Sequence, residues 1–109
     1  MMYEVFYSAE ARQDLREIYE YISQVLLAPK AAASQAHTIM KTVQSLKQLP
    51  LRHRLYDEEP WHSIGLRFVP VGKFWVFYLP DETTKVVSIV RIMYGGRDIK
   101  NCLSKTSEN

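Results

Sequence analysis

The order of two repeating hydrophobic patterns limits what this chain can fold into. Residues 11–49 carry two stripes of apolar side chains at spacings of three and four, the pattern of amphipathic helices. Residues 66–94 carry three apolar segments typical of β-strands, and a fourth, Tyr3–Tyr7, precedes the helices. The sequence therefore predicts an α+β fold: an N-terminal strand, a helical hairpin on one face of a mostly antiparallel sheet, a three-stranded meander and a short C-terminal helix.

The first helix has clear start signals. Ser8 stands where an N-cap is expected, and Glu10 follows in the first turn, where a negative charge suits the helix dipole. The apolar stripe then continues for about five turns. Its members are Ala11, Leu15, Ile18, Tyr19, Ile22, Val25 and Leu26.

The second helix is bounded by prolines. Pro29 fits the first turn of a helix, and Pro50 follows the last apolar residue of the stripe. Because the joint between the two helices is short, both stripes are expected to cover one common apolar surface. The second stripe consists of Ala32, Ala36, Ile39, Met40, Val43, Leu46 and Leu49.

Turn signals separate the later elements. Residues 51–63 are irregular, and we interpret them as a solvated connection; the alternative is that their basic residues 52–54 contact a phosphate or a partner. Gly72 and Lys73 predict a tight hairpin turn, and Asp98 is expected to cap the closing helix. The whole chain, residues 1–109, is predicted to form one domain.

Composition and motifs exclude several functional classes. The chain is 47% hydrophobic and 24% charged, has no apolar run of transmembrane length and begins without a secretory signal pattern. Its single cysteine, Cys102, allows no intramolecular disulfide, which predicts a cytoplasmic protein. Gly95 and Gly96 lack the residues of a phosphate loop, and the histidines lack metal-ligand spacing. We expect no metal and no cofactor.

Three segments in sequence order resemble the RelE/ParE toxins of bacterial type II toxin–antitoxin modules. They are YEVFYSAEARQDLREIYEYI at residues 3–22, LRFVPVGKFWVFYLPDETTKV at 66–86 and VSIVRIMYGGRDI at 87–99. The resemblance covers nearly the whole chain. It implies the fold predicted above, growth inhibition and plasmid stabilisation, and neutralisation by the C-terminal segment of a cognate antitoxin. Operator DNA would be bound only through the antitoxin complex.

The family combines two activities. RelE-type members cleave mRNA in the ribosomal A site with lysines, arginines and often a tyrosine, whereas ParE-type members poison DNA gyrase. In this chain the arginine expected after the glycine hairpin falls at or beside Phe74, and the C-terminal tyrosine falls near Leu103. Of two expected lysines, one matches Arg67 and the other falls on Gly65.

This comparison makes a gyrase poison the first expectation. The alternatives are a ribosome-dependent mRNA endonuclease and an inactive module that only binds its antitoxin. If the chain is a nuclease, the candidate catalytic residues are Arg67, Tyr94 and Arg97.

Partner binding is expected on the sheet face opposite the helices. A half-covered sheet would expose Phe68 and Trp75 there, and surrounding basic side chains would favour an acidic, partly apolar antitoxin segment. Regular alternation places Arg91 on the same face of the strand as Ile89 and Met93. A charge on an apolar face needs an ion-pair partner, and an antitoxin carboxylate is one candidate for Arg91. The candidate partner-binding residues are Arg67, Lys73, Trp75, Arg91, Tyr94 and Arg97.

Overall fold

The computed structural model describes residues 2–96 and 98–106. A π-helical turn, Tyr21–Val25, extends the first helix, and a short 3₁₀ turn, Pro50–Arg52, follows the second. The main elements are β1 (Glu4–Tyr7), α1 (Ala9–Glu20), α2 (Pro29–Ser45), β2 (Arg67–Val71), β3 (Phe74–Asp81), β4 (Val86–Tyr94) and α3 (Ile99–Ser104).

The four strands form one mixed sheet with the order β1-β4-β3-β2. β1 runs parallel to β4, whereas the β2–β3 and β3–β4 pairs are antiparallel. The α1–α2 hairpin packs on one face of this sheet. Its core includes Ile39 and Val43 from α2 and Val76, Tyr78 and Ile89 from the strands, all of them fully buried. The predicted α+β architecture is confirmed.

The opposite face of the sheet is covered by the chain itself, which corrects the expectation of an open surface around Phe68. Phe68 is only 7% exposed. The connection between α2 and β2 folds back over it, with hydrogen bonds from the Phe68 N–H to the Arg54 carbonyl and from the Tyr56 N–H to the Leu66 carbonyl. Apolar side chains of this connection and of α3 complete a second core with Phe68 and Phe77. They are Tyr56, Trp61, Leu66, Ile99 and Leu103.

Local sequence signals set the element ends as expected. The Ser8 hydroxyl accepts a hydrogen bond from the Ala11 N–H at 2.9 Å and donates to the Val90 carbonyl at 2.9 Å, so it caps α1 and attaches its start to β4. Gly72 adopts a φ of 59° in the β2–β3 turn, a conformation that favours glycine.

The position of Arg91 differs from the expectation because β4 contains a bulge. Arg91 pairs with Phe77 and Ile89 pairs with Tyr78, which leaves Val90 without a partner on β3. An extra residue reverses the alternation of faces beyond it, so the expected placement of Arg91 with Ile89 is wrong.

Asp14 of α1 binds the part of β4 that extends beyond β1. Its Oδ2 accepts hydrogen bonds from the Ile92 N–H at 3.0 Å and from Arg91 Nε at 2.6 Å, and its Oδ1 accepts from Arg91 Nη2 at 2.9 Å. Arg91 Nη1 also donates to Thr106 Oγ1 at 3.0 Å. The side chains of Arg91 and Asp14 are only 16% and 9% exposed. Hydrogen bonding to Asp14 raises the pKa of Arg91 above its ordinary value.

The Ser8 cap leads to a first prediction. Replacing Ser8 with alanine removes the acceptor for the Ala11 N–H and the bond to β4, so it should lower the free energy of unfolding by about 1 kcal/mol. Ser34→Ala, at an exposed position within α2, should change it by less than about 0.5 kcal/mol. Urea denaturation of both variants checks this, and equal midpoints would contradict it.

The Asp14–Arg91 pair leads to a second prediction. Asp14→Ala leaves the largely buried Arg91 charge and the Ile92 N–H without their acceptor, and should lower the free energy of unfolding by about 3 kcal/mol. The double variant Asp14→Leu/Arg91→Met, which removes both charges, should lose less than Asp14→Ala alone. Urea denaturation measures both losses, with the exposed Asp57→Ala as control. A larger loss in the double variant would contradict this account.

Candidate functional site

The structure separates two of the candidate catalytic residues, Arg67 and Tyr94, along the strands of the sheet. Arg67, at the start of β2, pairs with Tyr78, whereas Tyr94, at the end of β4, pairs with Phe74. Phe74 and Tyr78 are four positions apart on β3, which corresponds to roughly 13 Å along the strand. Arg97 lies outside the described residues.

Arg67 forms hydrogen bonds with the beginning of the connection between α2 and β2. Its Nη1 donates to the carbonyl oxygens of Leu51 at 3.2 Å and His53 at 2.6 Å. The Tyr78 hydroxyl donates to the Pro50 carbonyl at 2.6 Å, and burial raises the pKa of Tyr78 to about 12. The phenol of Tyr78 is therefore protonated at neutral pH and unsuited to act as a base.

A groove lies between α1 and the end of the sheet that carries Tyr94. It has a volume of about 870 Å³, and we call it the α1–β4 groove. Its polar side chains include Glu17, Gln35, Lys73 and Tyr94. Its apolar side chains come from the helical hairpin and from the strand ends. They are Ile18, Tyr21, Ile22, Leu26, Phe74, Ile92 and Met93.

Two of the predicted partner-binding residues meet in this groove. Lys73 is exposed in the β2–β3 turn, directly after Gly72. Tyr94 is 45% exposed and packs edge-to-face on Phe74, with 5.9 Å between ring centroids. With Tyr21, the groove therefore combines a cationic side chain with three aromatic rings, a combination suited to a protein partner.

The other predicted residues lie elsewhere. Trp75 stacks on Phe68 over the second core, with ring centroids 4.6 Å apart. A Cβ at Gly95 would approach the indole nitrogen of Trp75 to 2.8 Å, so glycine is needed there to seat the ring. Arg91 is occupied by Asp14 of its own chain, and its binding to a partner stays a prediction.

Sequence reasoning missed the tip of the helical hairpin. Val25 and Leu26 belong to the predicted apolar stripe, but they are 64% and 55% exposed, and Leu27, with a φ of 55°, is 80% exposed. Tyr21 and Leu26 connect this apolar tip with the α1–β4 groove. One signal was present in the sequence, because no charged residue occurs between Glu20 and Lys30. Contiguous exposed apolar surface of this kind marks interaction sites.

The described part of the chain offers no group of three His, Cys, Asp or Glu side chains placed to hold a metal ion. Within the same residues, no helix combines the length and apolar character needed to cross a membrane.

Solved structures of similar shape come from bacteria and an archaeon. A chain of the chromosomal ParDE toxin–antitoxin system from P. aeruginosa aligns with a TM-score of 0.69 at 24% identity, covering 85% of this chain and 96% of that one. A chain of the RelBE2 toxin–antitoxin complex from Mycobacterium tuberculosis gives 0.62 at 21% identity, covering 86% and 99%. One from the RelE–RelB complex of Pyrococcus horikoshii gives 0.61 at 19% identity, covering 89% and 99%. At these identities the likeness establishes the fold.

The sequence itself establishes the family. No curated protein matches it significantly. The family model described as ParE toxin of the type II toxin–antitoxin system parDE matches residues 5–99, which include α1, α2 and all four strands apart from the first residue of β1. The predicted resemblance is confirmed, and the chain belongs to the ParE toxin family of type II toxin–antitoxin systems.

Proposed function

We propose that this protein is a toxin that poisons DNA gyrase and is neutralised by a cognate antitoxin. The observation that carries the choice of target is the separation of Arg67 from Tyr94. RNA cleavage through the 2′-hydroxyl requires a group that activates this oxygen, cations that stabilise the phosphorane and a proton donor for the leaving oxygen, all at one site. These two candidates lie on different strands, roughly 13 Å apart along the strand direction.

The chemical state of the individual side chains also supports gyrase rather than RNA as the target. The guanidinium of Arg67 donates to two carbonyl oxygens of the connection, and the phenol of Tyr78 beside it has a pKa of about 12. The position at which a RelE-type nuclease is expected to carry an arginine falls at or beside Phe74. A mode of action based on binding a protein needs none of these groups.

The α1–β4 groove provides a surface for such binding. It is large, mostly apolar and rimmed by Lys73 and Tyr94, and buried aromatic side chains commonly dominate the affinity of protein interfaces. In this proposal the groove binds gyrase, and the antitoxin neutralises the toxin by covering it. The structural relatives named above were solved as toxin–antitoxin systems, which supports an antitoxin partner. Gyrase is a cytoplasmic target, so the proposal includes a cytoplasmic location, with operator DNA bound only through the antitoxin.

The choice of target can be tested directly. Purified protein should inhibit supercoiling by gyrase and trap cleaved DNA, and its expression without antitoxin should induce the DNA-damage response. Ribosome-bound mRNA should remain intact in the same cells. Codon-phased mRNA cleavage without a DNA-damage response would favour the endonuclease instead. Normal growth with abundant folded protein would favour the inactive antitoxin-binding module.

The groove makes a separate prediction about affinity. Tyr94→Ala removes a half-exposed aromatic ring from the groove and should weaken gyrase binding by about 2 kcal/mol, and Lys73→Glu should mainly slow association. Surface plasmon resonance separates the two effects. Phe6→Ala, which removes an exposed ring outside the groove, and Lys105→Glu serve as matched controls. Parent-like binding by both groove variants would exclude the groove as the gyrase site.

A further inference from the structure

The last part of β4 has an open backbone edge. β1 pairs with β4 only over residues 86–89, whereas β4 continues to Tyr94. On its other side β4 stays paired with β3 as far as Tyr94. Beyond β1, one side of β4 therefore has no neighbouring strand among the described residues. A strand edge of this kind is a template for an additional strand.

Two hydrogen bonds show which backbone groups face the open side. The Gly95 N–H donates to the Lys73 carbonyl at 2.8 Å, toward β3. The Ile92 N–H instead donates to Asp14 Oδ2 at 3.0 Å, away from β3. In an antiparallel pair, successive residues alternate between these two directions. Tyr94 follows Ile92 by two residues and precedes Gly95, so its N–H faces the open side together with the Ile92 carbonyl.

The chain itself uses only part of this edge. Asp14 occupies the Ile92 N–H. Within residues 2–96 and 98–106, neither the Tyr94 N–H nor the Ile92 carbonyl bonds to a side chain or to backbone outside the sheet. One donor and one acceptor therefore remain, two residues apart. This is the spacing at which a single residue of a parallel strand bonds to both.

The α1–β4 groove reaches this edge. Ile92 belongs to the core beneath the helical hairpin and Met93 to the second core on the opposite face, yet both line the groove. A cavity that contacts both faces of the sheet at adjacent residues also contacts the strand edge between them. The other wall is formed by α1, with Glu17 and Ile18. The free edge of β4 thus lies inside the groove.

We propose that the α1–β4 groove binds an extended segment of gyrase, which adds to the free edge of β4 as a short parallel strand. A backbone N–H of the segment donates to the Ile92 carbonyl, and a carbonyl of the segment accepts from the Tyr94 N–H. The segment continues the position beside β4 that β1 occupies at residues 86–89, in the same direction. This inference rests on the proposed function for the identity of the partner and adds the conformation in which that partner binds.

The walls of the groove define the side chains that suit the segment. Strand side chains alternate between two faces, and the face toward the helical hairpin meets Ile18, Ile22 and Phe74. An apolar side chain fits there. Lys73 forms no ion pair within the described part of the chain and lies at the turn beside the end of β4. It favours an acidic residue near the C-terminal end of a parallel segment.

Other occupants would leave the edge without partners. A helix bonds its own backbone groups, so it offers none to the Tyr94 N–H or the Ile92 carbonyl. A symmetric dimer through this edge would have to bring two β4 strands to within about 5 Å of each other. In each copy α1 stands over that edge, held there by Asp14. A single extended segment meets no such obstacle.

Amide hydrogen exchange on the full chain, with and without purified gyrase, tests the proposal. The Tyr94 amide should exchange rapidly in the free protein and become protected in the complex. The Met93 amide, which faces Trp75 of β3, should be protected in both states. The Glu82 amide, in the β3–β4 turn, should exchange equally in both.

A pair of variants at Tyr94 separates the backbone bond from the aromatic ring. Tyr94→Ala removes the ring and keeps the N–H, whereas Tyr94→Pro removes both. Because this N–H faces away from β3, proline costs no hydrogen bond of the β3–β4 pair, and proline is tolerated at such strand edges. Tyr94→Pro should therefore bind gyrase about tenfold more weakly than Tyr94→Ala, with both variants unfolding at similar urea concentrations.

The contrary outcomes are distinct. Gyrase binding that leaves the Tyr94 amide unprotected would overturn strand addition and leave the proposed function standing. Protection of this amide with equal affinities of Tyr94→Ala and Tyr94→Pro would also overturn it, because simple burial then explains the protection. If Tyr94→Pro does not fold, exchange in Tyr94→Ala decides: the alanine amide stays protected by a strand and loses protection that came from the ring. Failure of the parent protein to bind gyrase would overturn both this inference and the proposed target.

Discussion

The carboxylate of Asp14 is the point on which the arrangement of this protein depends. β1 is shorter than β4, so the second half of β4 would present an unpaired edge beneath α1. The Asp14 carboxylate accepts a hydrogen bond from the Ile92 N–H and forms an ion pair with Arg91. The Nη1 atom of Arg91 donates to the hydroxyl of Thr106, which follows α3. One side chain thus joins the first helix, the last strand and the C-terminal segment. Because a buried charge is costly without its partner, these three elements are held in one relative position.

This constraint also sets the position of the α1–β4 groove. Asp14 fixes the middle of α1 on β4, and the helix then continues past the sheet to an apolar tip at Val25 and Leu26. The opening between the helix and the strand ends is the α1–β4 groove, with Lys73 and Tyr94 at its rim. Arg67 at the start of β2 and Tyr78 in the middle of β3 instead donate hydrogen bonds to carbonyl oxygens of the connection between α2 and β2. The α1–β4 groove is therefore suited to binding, whereas Arg67 and Tyr78 hold the connection in place.

Local chemistry explains which features could be predicted from the sequence. The Ser8 cap, the Pro29 start and the Gly72 turn depend on residues a few positions apart, and hydrophobic periodicity then identifies the layers. The bulge at Val90 and the partner of Arg91 could not be predicted, because both are decided by residues far away in sequence. The same holds for the second core, since nothing local indicates that Tyr56 and Trp61 fold back over Phe68.

The parallel pairing of β1 with β4 has a consequence for the synthesis of the toxin. During translation, β1 and the helical hairpin leave the ribosome before β4. The residues that pair with β1 are residues 86–89, and the Asp14–Arg91 contact spans 77 positions of sequence. Because these contacting residues are far apart in sequence, β1 cannot pair with β4 until β4 has been synthesised. A nascent or prematurely terminated chain that ends before Val86 has neither the sheet edge for β1 nor the strand beneath α1. The topology thereby couples the formation of the α1–β4 groove to the synthesis of β4.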